Sequence, residues 1–490
     1  MTKKKQALAG AGIAAAVILV IAIIVGIVSY RNHIATYIRI GETEYLRDSV
    51  SLDLSGKQLE DLEPIKELAA LQTLDLRDTG LTAGQYQDLQ AALPECKIIW
   101  SVPFQDGFCS SDLTTLTVET LAEKDFESLE YLPDLQCINA ESCQDYDILM
   151  KLMEQYPDLQ VSYVVTFSGK QVESSAQTID ITDPDTAELM EGLQYLPDVT
   201  TVNLQGTLPE VEELIDVQQT YPDILFCWEF ELFGVSVNTL TEFIDLTGIK
   251  MDDTEELERY LPCFYNLTQV DMVRCGISNA DMADLNERYP DTKFVWTVAV
   301  YGTTLRTDAK YFMPIKLGLS PGGSLTNLKY CTDMVAMDFG HYGISDTSFL
   351  EYMPNLKYLI VADAGFTDLS VLSNCISLEY LELENSKFLD LWPLTNLTNL
   401  KDLNLAGVPF YENKGPGAFG DHTPLLQMTW LDRLWMPFTN LGSTRRNEIK
   451  EALQDTEMVF SSYGATTSGF RHTPRYYAQR DILGMGYYIN

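Results

Sequence analysis

The chain has 490 residues, 46% of them hydrophobic, and a formal net charge of -38. That length exceeds what one hydrophobic core ordinarily serves, so several domains or a repeat array are expected. A field this negative repels phosphate backbones, which sets nucleic acid aside as a partner and favours cations, basic proteins or simple solubility.

Lys3, Lys4 and Lys5 precede an uncharged run from Gln6 to Tyr30. A helix needs about 20 mostly apolar residues to cross a bilayer core, so residues 6–30 read as a transmembrane signal anchor after a cytoplasmic tail, 1–5. The competing reading is a cleaved signal peptide, but the run ends in "IVGIVSYRN" without a small-x-small cleavage site. Three lysines crowd the N-terminal side, whereas Arg31 and Arg39 beyond the run soon meet Glu42 and Glu44. The positive-inside rule then puts the N-terminus in the cytoplasm and everything after Tyr30 outside the cell. Residues 31–44 read as a juxtamembrane linker.

From residue 45 the chain repeats itself. Residues 356–377 ("LKYLIVADAGFTDLSVLSNCIS") and 378–399 ("LEYLELENSKFLDLWPLTNLTN") share a period of 22. Leu356, Leu359 and Val361 match Leu378, Leu381 and Leu383, then Leu400, Leu403 and Leu405, with Met334, Met337 and Phe339 one period earlier. Ile344, Phe366, Phe388 and Phe410 mark a second rung, and Leu350, Leu372 and Leu394 a third. The pattern recurs near the membrane at Leu52, Leu54 and Leu59, then Leu74, Leu76 and Leu81.

Between these stretches the repeat is longer. "LPECKIIWSVPFQDG", "YPDLQVSYVVTFSG", "YPDILFCWEFELFG" and "YPDTKFVWTVAVYG" follow one another at steps of 63, 65 and 68, with Trp100, Tyr163, Trp228 and Trp296 in register. Each long unit is expected to hold an amphipathic helix that stops before proline, a strand, a hairpin-like excursion, a second short strand and a second acidic helix. Residues 45–333 thus read as a solenoid of enlarged units and 334–442 as regular 22-residue repeats with one insertion. Residues 443–490 read as a degenerate last repeat and a C-terminal cap, with "SGFRHTPRYYAQRDILGMGYYIN" richer in Arg and Tyr than the rest.

The L-x-x-L-x-L pattern resembles the leucine-rich repeat family, and the 22-residue period is similar to bacterial surface proteins of the internalin type. The arrangement also resembles membrane-anchored leucine-rich proteins of anaerobic Gram-positive bacteria. The chain departs from internalins in its long units and in having no LPXTG-like sorting signal. The resemblance implies an α/β fold: a solenoid with a parallel β-sheet on one face and short helices and irregular turns on the other, after the N-terminal transmembrane helix. It also implies protein or ligand binding on the sheet face.

Chemistry is hard to place in this sequence. "GPGAFG" (415–420) satisfies G-x-G-x-x-G only formally, inside an insertion, and reads as a surface loop. His33, His341, His422 and His472 are scattered, with neither a zinc-binding motif nor a G-x-S-x-G elbow, so no catalytic residue, metal or cofactor is assigned. "DPD" (183–185) and "MDD" (251–253) read as helix N-terminal charge. Cys137/Cys143 and Cys263/Cys275 are close enough in sequence to form disulfides, though small buried hydrophobes explain such cysteines equally well.

In a strand, alternate residues face opposite ways. The residues between the leucines therefore point to solvent: Tyr358 and Ile360, Tyr380 and Glu382, Asp402 and Asn404, Arg433 and Trp435. Their aromatic and arginine content suits a binding surface for a protein or other extracellular ligand. The first functional reading is a non-catalytic, membrane-anchored surface protein that binds or adheres. The alternatives are a structural envelope scaffold or spacer, and an envelope hydrolase with a cryptic site on the insertions.

Overall fold

In the computed structural model the described residues are 3–167, 169–319, 323–344, 346–387, 390–410, 420–461 and 469–485; the side chains of 3–14 and Phe167 lie outside that set. Phe388 and most of "GPGAFG" also fall outside it. The chain divides into two compact units, residues 1–226 and 227–490.

The first unit opens with helix α1 (Lys3–Thr36). Its stretch Ala15–Thr36 is long and apolar enough to cross a membrane, and none of that stretch is buried against the protein. The segment read as a linker is ordered. Helix α1 continues to Thr36, and Tyr37–Ile40 then pairs antiparallel with Thr43–Leu46 across Gly41, whose φ of +58° makes the tight turn.

Beyond this hairpin each long unit has the same plan. A ten-residue helix comes first: α2 (Ala83–Ala92), α3 (Tyr146–Gln155), α4 (Val211–Thr220) and, in the second unit, α5 (Asn279–Arg288). Thr82 and Gln85 form a reciprocal capping box on α2, while Asp145 and Ser278 cap α3 and α5. Each helix ends two residues before a proline, which cannot continue the backbone ladder.

The strand after each helix closes a short parallel sheet. Leu52, Leu74 and Ile98 stand side by side in one, and Val270 stands beside Ile244 and Phe294 in another. The chain then leaves the sheet through an antiparallel hairpin: 101–110, Val164–Glu173, Glu229–Asn238 or Thr297–Arg306. At two of these turns both central residues are left-handed, Phe233–Gly234 and Tyr301–Gly302. That conformation matches the twist of the flanking strands. Trp100, Tyr163, Trp228 and Trp296 are all buried where strand passes into hairpin.

The second unit ends in a seven-stranded parallel sheet, in order β1 (Tyr311–Phe312), β2 (Ala336–Asp338), β3 (Tyr358–Ile360), β4 (Tyr380–Glu382), β5 (Asp402–Asn404), β6 (Arg433–Trp435) and β7 (Glu457–Val459). The central residue of each strand enters the core, so Met337, Leu359, Leu381, Leu403, Leu434 and Met458 align as one rung. Leu350, Leu372, Leu394 and Leu425 form another rung behind the sheet, fully buried. Burying one such leucine is worth about 1.5–3 kcal/mol, and the gain exists only when the neighbouring turn is in place.

Polar bonds lock the same register. The side-chain amides of Asn355, Asn374 and Asn399 donate to carbonyls of the preceding turn, at Thr332, Glu351 and Ile376 (3.1, 3.0 and 2.8 Å). After each strand the chain turns through a left-handed residue at His341, Asp363, Asn385, Gly407 and Phe438. The degenerate last repeat supplies helix α6 (Ser443–Ala452) and strand β7. "DPD" caps a helix and "MDD" lies just ahead of one: Asp185 accepts from the Glu188 amide, and Asp253, the residue before the N-cap Thr254, from the Glu255 amide (both 3.0 Å).

All nine cysteines carry thiols, so the two sequence pairs are not bridged. Cys275, Cys331 and Cys375 are buried in the solenoid core as small apolar residues. Burial pushes the Cys331 and Cys375 thiols up to about 12. Alkylation of the native protein at pH 8 is therefore expected to spare both, and denaturant to expose them; mass spectrometry of the labelled peptides reads this directly. Gly407→Ala tests the turn ladder. Position 407 has φ +69°, and an added Cβ would collide with the Asn385 side chain. A loss of about 1–3 kcal/mol in unfolding stability is expected.

Candidate functional site

Strand register sorts the residues between the leucines into two columns on one face of the seven-stranded sheet. The first runs Ala336, Tyr358, Tyr380, Asp402, Arg433, Glu457. The second runs Asp338, Ile360, Glu382, Asn404, Trp435, Val459. All eight residues expected on this face are brought together there. The expectation that they point to solvent is corrected. Tyr380, Glu382, Asp402 and Asn404 are 0% exposed, Ile360 and Trp435 2%, and Tyr358 7%; only Arg433 is partly open.

The chain's own C-terminal segment covers them. From Gly469 it crosses the face and forms helix α7 (Pro474–Ile482), capped by Thr473, whose hydroxyl accepts from the Tyr476 amide (3.1 Å). A polar segment of this kind seats itself on the sheet because the sheet supplies matched charge. Arg471 donates two parallel bonds to Glu382, Nε to Oε1 at 2.9 Å and Nη2 to Oε2 at 2.8 Å. The Tyr380 hydroxyl donates to the same carboxylate. Arg475 bridges Asp402 (3.4 Å) and Asp432 (2.6 Å), and the Gln479 amide donates to the Met337 carbonyl (3.3 Å).

Arg433 works in the opposite direction. It rises from the sheet, donates to the carbonyls of Phe470 (2.7 Å) and Gly469 (2.8 Å), and lies over the Trp435 and Phe470 rings at 4.7 and 5.3 Å. Phe470, Tyr476 and Leu483 fill the space between, packed on Tyr358, Ile360, Tyr380 and Trp435.

The covered face is acidic and desolvated. Burial pushes the carboxyls of Asp338, Glu384 and Asp402 above the ordinary carboxylate range, against the pull of Arg471 on the first two and Arg475 on the third. Burial likewise holds the Tyr380 and Tyr476 hydroxyls above their usual range. Among the described residues no group of three or more His, Cys, Asp or Glu side chains is placed to hold a metal ion. His341 meets Asp363 on the next turn (3.3 Å) and His422 meets Glu448 (2.6 Å), each as a separate pair.

A second concavity lies where the ten-residue helices give way to the tighter turns of the regular repeats. It has a volume of about 520 Å³ and is lined by Trp296, Tyr330, Tyr352, Lys293, Lys329 and Asp333 among others. The Trp296 indole is held by Asn279 (2.9 Å), and Asp333 is already engaged by Lys293 and Lys310.

Sequence reasoning missed Arg471, Arg475 and Gln479 as residues of this face. The available signal was local: three arginines at 471, 475 and 480, interleaved with tyrosines, in a chain of net charge -38. Composition marked the segment as different, but pairing across 89 residues is set by the sheet and not by spacing.

The fold is a leucine-rich repeat solenoid. That assignment rests on the register of this chain's own strands. No family model and no curated protein matches the sequence. Among solved structures, an internalin (InlF) from Listeria monocytogenes is 14% identical over 86% of this chain and 84% of its own, with a TM-score of 0.24. Internalin C2 from the same organism is 17% identical over 45% of this chain and 80% of its own (TM-score 0.25). A leucine-rich repeat protein of Leptospira interrogans is 13% identical over 84% and 96% (TM-score 0.22).

The buried carboxyls predict a pH response. Folded Asp338 keeps its proton to higher pH than an unfolded aspartate, so its contribution to stability is present at acid pH and is lost as pH rises through its raised value. Asp338→Asn removes that loss and retains an oxygen to accept from the Gly340 amide. The variant is expected to melt higher than wild type at pH 7, with the gap closing near pH 4. Paired thermal melts at the two pH values check it.

Proposed function

We propose that the protein is a membrane-anchored, non-catalytic binding protein that holds its leucine-rich solenoid outside the cell. The observation that carries this reading is α1: an apolar helix, unburied from Ala15 to Thr36, joined through a short hairpin to repeat units. Lysines in the first turn of the helix, ahead of its apolar stretch, favour a cytoplasmic N-terminus. The solenoid supplies an extended surface with ordered rows of side chains, an architecture suited to macromolecular partners. The net charge of -38 favours basic ones. Adhesion and partner identity belong to this proposal, as does the role of the eight sheet-face residues. With the C-terminal segment seated, seven of those eight residues, all but Asn404, contact it.

Protease shaving of intact cells carrying full-length protein tags the topology. An N-terminal epitope is expected to survive on a membrane-protected fragment, while epitopes in the repeats are lost. Retention of the repeats behind the membrane would overturn the reading. Photo-crosslinking from the exposed Phe438 on such cells is expected to capture a discrete extracellular protein.

A further inference from the structure

The cover on the seven-stranded face differs in kind from the core beneath it. The solenoid core is a continuous ladder of leucine, methionine and phenylalanine running from Leu232 to Leu453, and no residue of the C-terminal segment belongs to it. Phe470, Tyr476 and Leu483 form a separate cluster with Tyr358, Ile360, Tyr380 and Trp435. The turns therefore complete their apolar burial without the segment.

What joins the segment to the face has the make-up of a protein interface. It is an aromatic centre ringed by charge-assisted bonds: Arg471 with Glu382, Arg475 with Asp402 and Asp432, and Arg433 with the carbonyls at 469 and 470. Aromatics and arginines are the residues that dominate such contacts. The fit is also incomplete. Gln479 Oε1 is buried in it with no hydrogen-bond partner among the described residues. Buried polar atoms left in that state cost stability. A face of carboxylates and tyrosines, already holding a capped helix by its arginines, is shaped to recognise that chemistry.

From this we infer that the seven-stranded face is a receptor for a helical protein segment bearing arginines and aromatics. Residues 469–485 occupy it in cis, and a partner segment of the same chemistry takes their place in trans. The inference deepens the binding reading above and rests on it for the existence of a partner. Occupation in cis sets the threshold. A tethered segment acts at an effective concentration in the ~mM range, so a trans ligand gains access when the tether's own contacts are weakened or its affinity is higher.

The test uses full-length protein in lipid nanodiscs and a fluorescent peptide spanning residues 469–485. In the Arg471→Ala/Arg475→Ala chain the resident segment loses its ion pairs and the face opens. Peptide affinity for that chain is expected to exceed affinity for wild type by at least tenfold. Adding Glu382→Gln and Asp402→Asn should abolish the gain, as should a peptide lacking the two arginines. Equal affinity for both chains, with circular dichroism unchanged, would overturn the inference. So would collapse of the solenoid's unfolding transition in the double variant, because the segment would then be part of the fold. The assay is blind to membrane orientation, so a failed topology leaves its outcome intact and the two readings fail separately.

Discussion

Everything in this molecule depends on one constraint: a single turn cannot bury its own apolar side chains. Leu359 is fully buried because Met337 and Leu381 flank it, and each of those depends on a further neighbour. The 22-residue period is the length of chain needed to leave the sheet, pass the rung at Leu350, Leu372 and Leu394, and return in register. The asparagine bonds between turns enforce the same spacing with polar atoms. Enlarged units obey the rule differently. They replace tight turns with ten-residue helices and add hairpins, so the parallel ladder is divided into short sheets, each closed by the strand that follows its helix.

A stacked parallel sheet necessarily presents a second set of side chains on the face opposite the core. In most of a solenoid those residues meet water. Here Tyr358, Tyr380, Glu382, Asp402 and Trp435 meet the segment 469–485. Desolvating Glu382 is tolerable because Arg471 supplies a fork of two bonds and Tyr380 a third. Removing either charge with the segment still seated would leave the other buried alone, which typically costs about 3–5 kcal/mol. The acidic chain thus reserves part of its small basic content for one internal surface.

Much of this was legible in the sequence. Register is a local property repeated many times, so the strand positions, the core rungs, the two sheet-face columns and the hairpin excursions can be read from period and alternation. The positions of Asp185 and Asp253 at helix N-termini follow from their place before acidic helices. What covers the sheet face could not be read in that way. The Arg471–Glu382 pair spans 89 residues and depends on a direction taken by the chain after its last repeat. No periodicity encodes that direction. Alternation says that Tyr380 and Glu382 leave the core; it does not say that they enter another one.

The most direct measurement places a photo-crosslinking amino acid at Tyr476 in the full-length protein. Tyr476 stacks beside Tyr380, with ring centres 6.0 Å apart. Irradiation is expected to give an intrachain link to the tryptic fragment that carries Tyr380 and Glu382. Links confined to other parts of the chain, or no link in folded protein, would contradict the seating of the C-terminal segment on the sheet.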